Sequence, residues 1–313
     1  MCDFEKMQQK TEQCALVSVI IPSYKRDAKT VNRAINSLLN QTYKNIQLIL
    51  VDDNAKEELK GYREELKELV EKLASEKIIY IQNEQNLGSA GARNKGVQVA
   101  TGEYITFLDD DDIYLESKIS NQLKFMIENQ LDYCVTDIDL YYDDGTFCEK
   151  RTREGLDVRN KKSLLVYHLM HKIASNDTMM FKKEYFNQIG GFGSEDVGED
   201  FYLIHRAIEG DGKFGYLPVS DIKAFVHREG DGLSIGESKI KGENSVYAYI
   251  KKYFSELTFG QRQYIKMRHY AVLAFAYLRK KQYFKFLISG VQSFFCSPIA
   301  CVKLILNKSN KKV

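Results

Sequence analysis

Short apolar segments alternate with helical patterns along the first part of the chain. Between these segments, apolar residues recur three and four positions apart, as on the buried face of an amphipathic helix. The segments, rich in β-branched and large aliphatic residues, lie at 17–21, 46–51, 78–81 and 104–108. This alternation predicts an α/β fold with a mostly parallel, Rossmann-like sheet flanked by helices. It also places a ligand site at the carboxyl ends of the strands.

Acidic residues follow two of these predicted strands directly. Asp52 and Asp53 follow the second segment, and Asp109–Asp112 follow the fourth. Two unit charges 4 Å apart repel by about 4 kcal/mol at an effective dielectric of 20, so four adjacent carboxylates need compensation. Without a neighbouring His or Cys, the cluster favours a hard cation, Mg²⁺ or Mn²⁺, shared with substrate phosphate. The alternative, capping of the following helix, accounts for one or two of the four.

Composition places the chain among ordinary globular proteins. Hydrophobic residues make up 44% and charged residues 28% of the 313 residues, a length typical of about two domains. The six cysteines form no C-x-x-C pair, which predicts reduced thiols in the cytosol instead of a zinc site or a disulfide framework. The first residues are polar and mixed in charge, unlike a secretory signal. A net charge of +2 does not favour nucleic acid as a partner.

Charge is unevenly distributed, because residues 257–313 hold 11 Lys and Arg and no Asp or Glu. The segment is also rich in aromatic and aliphatic residues, which predicts contact with an anionic membrane surface, on the inner face of the cell membrane. A basic helical cap on the acidic body is the alternative. The longest uncharged run, 286–302, contains Ser297-Pro298, a helix-start signal, and therefore predicts two short helices on the surface instead of one spanning helix.

Six motifs occur together in a distinctive order. They are VSVIIPSYKR (17–26), LILVDDNA (48–55), NLGSAGARNKG (86–96), GEYITFLDDDD (102–112), GGF (190–192) and GED (198–200). Over residues 17–230 the chain thus resembles the family 2 glycosyltransferases of the GT-A fold, of the bacterial surface-polysaccharide type. The resemblance implies an inverting, metal-dependent enzyme. It would move a sugar from a nucleotide-diphosphate donor, a UDP-sugar, to a hydroxyl of a lipid-linked or protein-linked glycan acceptor.

The resemblance also assigns the donor side of the site. Pro22, Ser23 and Tyr24 would line the nucleotide pocket, and Asp53 would accept a hydrogen bond from the base; a simple Asx turn is the alternative for Asp52–Asn54. The remaining donor-side residues are Asn86, Gly88, Arg93, Asp109 and Asp110. For Arg93 the alternative is a surface position on its helix.

The metal, Mn²⁺ or Mg²⁺, would be held by two of the aspartates and a later histidine. Asp111 is the strongest candidate ligand and Asp109 the second, while Asp112 is expected to cap the following helix. His227 precedes a Gly-rich loop and would close over the diphosphate or the metal; a packed or surface histidine is the alternative.

By the same resemblance, Asp200 of the GED motif is the general base that takes the proton of the acceptor hydroxyl. Glu199 and Asp196 are its rivals. A helix N-terminus lowers a carboxylate pKa, so a base at this position needs partial burial. The stretch 176–181 is expected to line the acceptor side.

The expected organisation is an N-terminal tail (1–16), a nucleotide-sugar half (17–112), an acceptor half (113–235) and a basic helical region (236–313). A different function, a catalytically silent partner subunit of a membrane-associated assembly, is the alternative. A nucleotidyltransferase is disfavoured because the first loop, PSYKRD, contains no Gly.

Overall fold

A seven-stranded sheet forms the centre of the computed structural model, which describes residues 14–195, 197–227 and 236–309. The strand order is β10-β6-β9-β4-β1-β2-β3, and β9 alone among these runs antiparallel to its two neighbours. The bounds are β1 Val17–Ser23, β2 Ile46–Asp52, β3 Ile78–Gln82, β4 Tyr104–Phe107, β6 Tyr133–Thr136, β9 Met179–Lys182 and β10 Phe214–Leu217. The predicted α/β class with a mostly parallel sheet is confirmed.

A smaller four-stranded sheet lies beyond the carboxyl end of β4. Its order is β5-β11-β7-β8, with β11 antiparallel to β5 and parallel to β7. The bounds are β5 Ile113–Tyr114, β7 Ile138–Tyr142, β8 Phe147–Arg151 and β11 Ile222–Val226. Because β5 begins directly after Asp112, this sheet forms one side of the acidic cluster.

Helices cover both faces of the central sheet and form the C-terminal region. They are α1 Ala28–Leu39, α2 Lys60–Leu73, α3 Gly88–Val99, α4 Lys118–Glu128, α5 Lys161–His171, α6 Lys183–Gln188, α7 Glu199–Glu209, α8 Gly236–Ile250, α9 Phe259–Arg279, α10 Tyr283–Cys296 and α11 Pro298–Ser309. Short 3₁₀ turns occupy Glu57–Leu59, Asn176–Thr178 and Lys251–Glu256.

Alternate residues of β1 bury against opposite layers, as the period of a strand requires. Val19 and Ile21 pack in one cluster with the apolar face of α1, and Ile20 packs in the other with α3. At Gly96 of α3, an added Cβ would lie 2.5 Å from Cγ2 of Ile20. The small residues of the NLGSAGARNKG motif thus allow α3 to approach β1 closely, directly behind the strand ends.

The C-terminal helices pack on one another and leave an apolar face uncovered. On α10, Phe284, Leu287, Val291 and Phe295 are between 55% and 77% exposed. The predicted break at Ser297-Pro298 is confirmed, because α10 ends at Cys296 and α11 begins at Pro298. Across the described ranges, none of the helices combines the length and the apolar character that crossing a bilayer requires.

Candidate active site

The carboxyl ends of β1, β2 and β4 bring the first, second and fourth motifs together. Ser23 and Asp52 are paired residues at the ends of β1 and β2, and the N–H of Asp53 donates to the carbonyl of Ser23. The Ser23 hydroxyl donates to Oδ2 of Asp110 at 2.7 Å. Ser23 therefore joins the predicted nucleotide loop to the acidic cluster, as adjacent parallel strands require.

The Asp53 carboxylate orders the loop that leads into α3. It accepts hydrogen bonds from the side-chain amide of Asn83 and from the N–H groups of Leu87 and Gly88, and the Asn86 amide donates to its carbonyl. Asp53, Asn86 and Gly88 thus lie together, and the described contacts give Asp53 a role in positioning this loop. Its contact with a nucleotide base stays a prediction.

Arg26 pairs with two members of the aspartate cluster. Its Nε lies 3.0 Å from Oδ1 of Asp110, and its Nη2 lies 2.6 Å from Oδ2 of Asp111. Burial raises the pKa of Asp110 to about 7, because the charge of Arg26 only partly offsets burial and repulsion from Asp111. Arg26 therefore supplies positive charge where the sequence predicts a cation.

His227 contacts the strongest predicted metal ligand. Its Nε2 lies 2.7 Å from Oδ2 of Asp111, and its Nδ1 lies 2.5 Å from Oδ1 of Asp143. The hydrogen bond to Asp111 raises the pKa of His227. For Asp111, burial favours the neutral form, but His227 and Arg26 outweigh it and lower the pKa. Of the two alternatives for His227, the structure places it in the cluster.

Three further carboxylates of the cluster form a second group, besides the contact between His227 and Asp111. Oxygens of Asp109, Asp112 and Asp177 lie within 4.8 Å of one another. Asp112 and Asp177 share a hydrogen bond, which requires a proton, and burial raises the pKa of Asp112 well above its usual value and that of Asp177 to about 7. The capping role expected for Asp112 is wrong: α4 begins only at Lys118, and Oδ1 of Asp112 accepts from the N–H of Phe225 in β11.

The donor atoms of the cluster fit a hard divalent cation. They are carboxylate oxygens and one imidazole nitrogen, a set that Mn²⁺ or Mg²⁺ accepts. Burial raises the pKa of Asp110 and Asp177, and repulsion from Asp111 and from Asp109, respectively, adds to the shift. The carboxylates close enough to hold one ion together are those of Asp109, Asp112 and Asp177, and that Asp111 and His227 would hold it with Asp109 stays a prediction.

Arg93 connects the cluster to the predicted base. Its Nη2 donates to Asp109, and its Nη1 donates to Glu199 of α7 at 2.9 Å. The Ser89 hydroxyl donates to the same Glu199 oxygen at 2.8 Å. Because Arg93 is only 3% exposed, the alternative of a surface arginine is wrong. One buried guanidinium therefore fixes α7 relative to the end of β4.

Asp200 lies at the start of α7, after Gly198 with its left-handed φ of 83°. Its Oδ1 accepts from the N–H of Phe201 at 2.8 Å. Burial raises the pKa of Asp200 to about 6, with a further contribution from the charge of Glu199, while Lys172 and Lys239 lower it. This provides the partial burial that a general base at a helix N-terminus needs. The rival Asp196 lies outside the described residues, as does the loop 228–235 that follows His227.

Three residues of the site have roles that the sequence interpretation missed. Arg26 follows the PSYK loop and carries no separate signal. The sequence predicts Asp177 on the acceptor side, whereas its Oδ1 accepts from the N–H of Asp109, because the 3₁₀ turn 176–178 leads into the antiparallel strand β9. The sequence offers Glu199 as a rival base, whereas the structure shows that it accepts hydrogen bonds from Arg93 and Ser89. A signal for this difference exists in the sequence, because adjacent residues of a helix point about 100° apart.

The chain matches the family model "Glycosyl transferase family 2" over residues 18–190, more than half of its length. The chain belongs to glycosyl transferase family 2. It is 32% identical over 206 residues to an uncharacterized glycosyltransferase of Methanocaldococcus jannaschii, which covers 64% of this chain and 68% of that protein. This family 2 member is therefore a transferase.

Another relative has a named activity. The chain is 41% identical over 111 residues, 36% of this chain, to WfaP of Escherichia coli, described as a UDP-Glc:alpha-D-GlcNAc-diphosphoundecaprenol beta-1,3-glucosyltransferase. The match spans only 41% of WfaP, and other curated relatives are matched over as little as 18% of their length.

The fold has a solved counterpart in Staphylococcus aureus TarS 1-349. The likeness has a TM-score of 0.53, with 16% identity, and covers 89% of this chain and 90% of that chain. At this identity the likeness concerns the fold alone.

Proposed function

We propose that this family 2 enzyme transfers a sugar, with inversion, from a UDP-sugar to a hydroxyl of a glycan acceptor, using Mn²⁺ or Mg²⁺. The observation that carries the proposal is that Arg93, a buried residue, joins Asp109 in the acidic cluster to Glu199, the neighbour of Asp200. A nucleotide diphosphate needs the first group and an acceptor hydroxyl needs the second. Their rigid connection supports one reaction centre.

The residues divide the chemistry between them. Asp200 takes the proton of the acceptor hydroxyl as the oxygen bonds to the anomeric carbon, while the bond to the diphosphate breaks on the opposite face. The nucleoside diphosphate leaves with that bond's electron pair, so one displacement inverts the carbon. Ser23, Arg26 and Arg93 border the diphosphate position. A bound divalent cation would neutralise part of the negative charge on the leaving diphosphate.

The acceptor that we propose is a glycan attached to a lipid through a diphosphate, at the inner membrane face, during synthesis of a surface polysaccharide or glycoconjugate. Support comes from the named activity of WfaP and from the exposed apolar face of α10. Lys285 on α10 and Arg279 at the end of α9 place positive charge near this face. Apolar burial and basic residues together favour an anionic bilayer surface. We keep the division into a donor half (17–112), an acceptor half (113–235) and this helical region.

The test is a panel of nucleotide sugars, incubated with the full chain in the presence of Mn²⁺ or of a chelator. Release of nucleoside diphosphate is measured with and without added acceptors. We expect one uridine donor to be hydrolysed slowly with Mn²⁺ and not with the chelator. Binding of donors without any release would indicate the silent partner subunit instead.

Two variants assign the roles within the site. Asp200→Asn is expected to keep donor binding while transfer falls by about 10²–10⁴-fold, the usual contribution of a general base. Asp211→Asn, an exposed aspartate just beyond the same helix, is the matched control and should transfer normally. Asp111→Ala is expected to lose Mn²⁺-dependent UDP binding. Wild-type transfer by Asp111→Ala would contradict the metal assignment.

A further inference from the structure

One face of α8 packs directly against the segment that precedes the proposed base. An added Cβ at Gly242 would lie 2.2 Å from Cγ1 of Val197, and one at Gly198 would lie 2.9 Å from Cγ2 of Val246. Residues 239, 242, 243 and 246 follow the spacing of a single helix face. Lys239 therefore lies one turn before the point where α8 contacts the chain next to Asp200.

The charged residues on this face differ in how many direct partners they have. Lys172, at the end of α5, donates to Oε2 of Glu243 at 2.6 Å, and Nδ1 of His269 lies 3.3 Å from Oε1 of the same carboxylate. Glu243 is thus already engaged by two partners. Within residues 14–195, 197–227 and 236–309, Lys239 has neither a hydrogen bond nor an ion pair.

Lys239 is also partly withdrawn from solvent. Burial and then the charge of Lys172 lower its pKa, whereas the charges of Glu243 and Asp200 raise it, so two ammonium groups and two carboxylates lie near one another. Both lysines also act on the carboxylate of Asp200. Because both Glu243 oxygens are already contacted directly, by Lys172 and His269, the Lys239 ammonium lacks a direct partner among the described residues and can donate to an anion.

The position of these lysines identifies the anion's source. We propose the donor diphosphate at Asp109–Asp111, which Arg93 connects to Glu199, whereas Lys239 acts on the next residue, Asp200. An anion beside Asp200 therefore belongs to the acceptor. The hydroxyl of a pyranose that attacks and the phosphate on its anomeric carbon are separated by the sugar ring, so a base and an anion site must be neighbours.

We propose that Lys239, with Lys172 beside it, binds the phosphate that is attached to the acceptor sugar, so that this enzyme selects lipid-diphosphate sugars over neutral glycans. The inference rests on the proposed function and names its acceptor class. In this proposal the lipid extends from Lys239 toward the exposed apolar face of α10. These elements are in continuous contact, because Ile240 of α8 lies against Leu273 and Ala276 of α9, and α9 packs on α10.

The test compares two acceptors that differ only in the diphosphate. One is α-N-acetylglucosaminyl diphosphate carrying an undecyl chain, and the other is the undecyl α-glycoside of the same sugar. Lys239→Gln should lower kcat/KM for the diphosphate acceptor by about tenfold or more, the effect of one lost charge-assisted hydrogen bond. Loss of Lys239 also removes a charge that lowers the pKa of Asp200, so rates are compared at about pH 8, well above that pKa of about 6, where transfer to the glycoside should fall far less. Lys239→Arg should restore most of the loss.

Lys162→Gln, an exposed lysine at the start of α5, is the matched control, and thermal unfolding checks that every variant folds. An equal fall with both acceptors would show that Lys239 acts only on Asp200 and would overturn the proposal, as would no fall at all.

A binding measurement decides the question without turnover. With the donor site filled by saturating UDP and Mn²⁺, undecyl diphosphate should bind the wild type, and its Kd should rise about tenfold in Lys239→Gln. No binding to the wild type, or equal binding to both, overturns the proposal. Failure of the proposed function is a different result, namely no nucleotide release from any donor by the wild type.

Discussion

Replacing Glu199 with Gln is expected to move the acidic limb of the pH–rate profile to lower pH. The reaction needs Asp200 in its deprotonated form, so the rate rises as pH increases through the pKa of this group and then reaches a plateau. Burial is the first cause of the raised pKa of about 6, and the charge of Glu199 is the second. Gln keeps the size of the side chain and removes that charge, so the pKa of Asp200 must fall.

The size of the shift follows from Coulomb's law. Two carboxylates about 8 Å apart interact by roughly 1–2 kcal/mol at an effective dielectric between 20 and 40. Since one pKa unit corresponds to about 1.4 kcal/mol, removal of the Glu199 charge lowers the pKa of Asp200 by about one unit. At pH 5 the wild type would then run at roughly a tenth of its plateau rate, and the variant at roughly half of its own.

The plateau itself should also fall, because Glu199 accepts hydrogen bonds from Arg93 and Ser89, 2.9 and 2.8 Å long. Each profile is therefore normalised to its own plateau, using transfer measured from pH 4.5 to 8.5. Glu209→Gln, the same substitution at the far end of α7, is the control and should leave the limb near pH 6. If the Glu199→Gln limb coincides with the wild type or lies at higher pH, the base is not Asp200 or its pKa is not set by this neighbour.

Three further predictions concern packing, the cation and the membrane. Gly96→Ala should lower the free energy of unfolding by about 1–3 kcal/mol, because α3 has no room for a methyl group, whereas Gly61→Ala, in open space on α2, should raise it by about 0.5–1 kcal/mol. If denaturant titration gives changes of the same sign for both variants, this packing argument is wrong. In Arg26→Gln, Mn²⁺ should raise the unfolding temperature more than in the wild type, because Arg26 competes for oxygens of Asp110 and Asp111; equal gains by differential scanning fluorimetry would refute the competition. Leu287→Glu should weaken binding to vesicles of anionic lipid by about tenfold, whereas Val158→Glu, also exposed but in the loop after β8, should not; co-sedimentation of both at the wild-type level would make the tail a structural cap.

The fold was predictable because its signals are local and periodic. The four apolar segments correspond to β1–β4, and the strand ends place Ser23, Asp53 and Asp110 together, as parallel neighbours must be. The helix break at Ser297-Pro298 was predictable for the same reason, since Pro fixes the first turn of a helix. In each case a few consecutive residues determine the structure.

Pairings between distant segments were not predictable in the same way. No local pattern announces that Arg93 is buried between Asp109 and Glu199, which lie 16 and 106 positions away in the sequence. Asp177 reaches the cluster because β9 enters the sheet antiparallel between β6 and β4, a topology that apolar periodicity does not encode. The capping role expected for Asp112 was wrong because a strand, β5, intervenes before α4.

Charge balance connects these long-range contacts to the chemistry. Five aspartates meet at the end of β4, and one proton is held between Asp112 and Asp177. Arg26 and a protonated His227 offset two of the remaining charges, while the charge of Arg93 is shared with Glu199. When Asp110, whose pKa is about 7, is deprotonated, the balance is negative, which supports the divalent ion that we propose. A diphosphate that binds together with such an ion would lie at Asp109. Arg93 connects Asp109 to Glu199, which precedes Asp200, the proposed base.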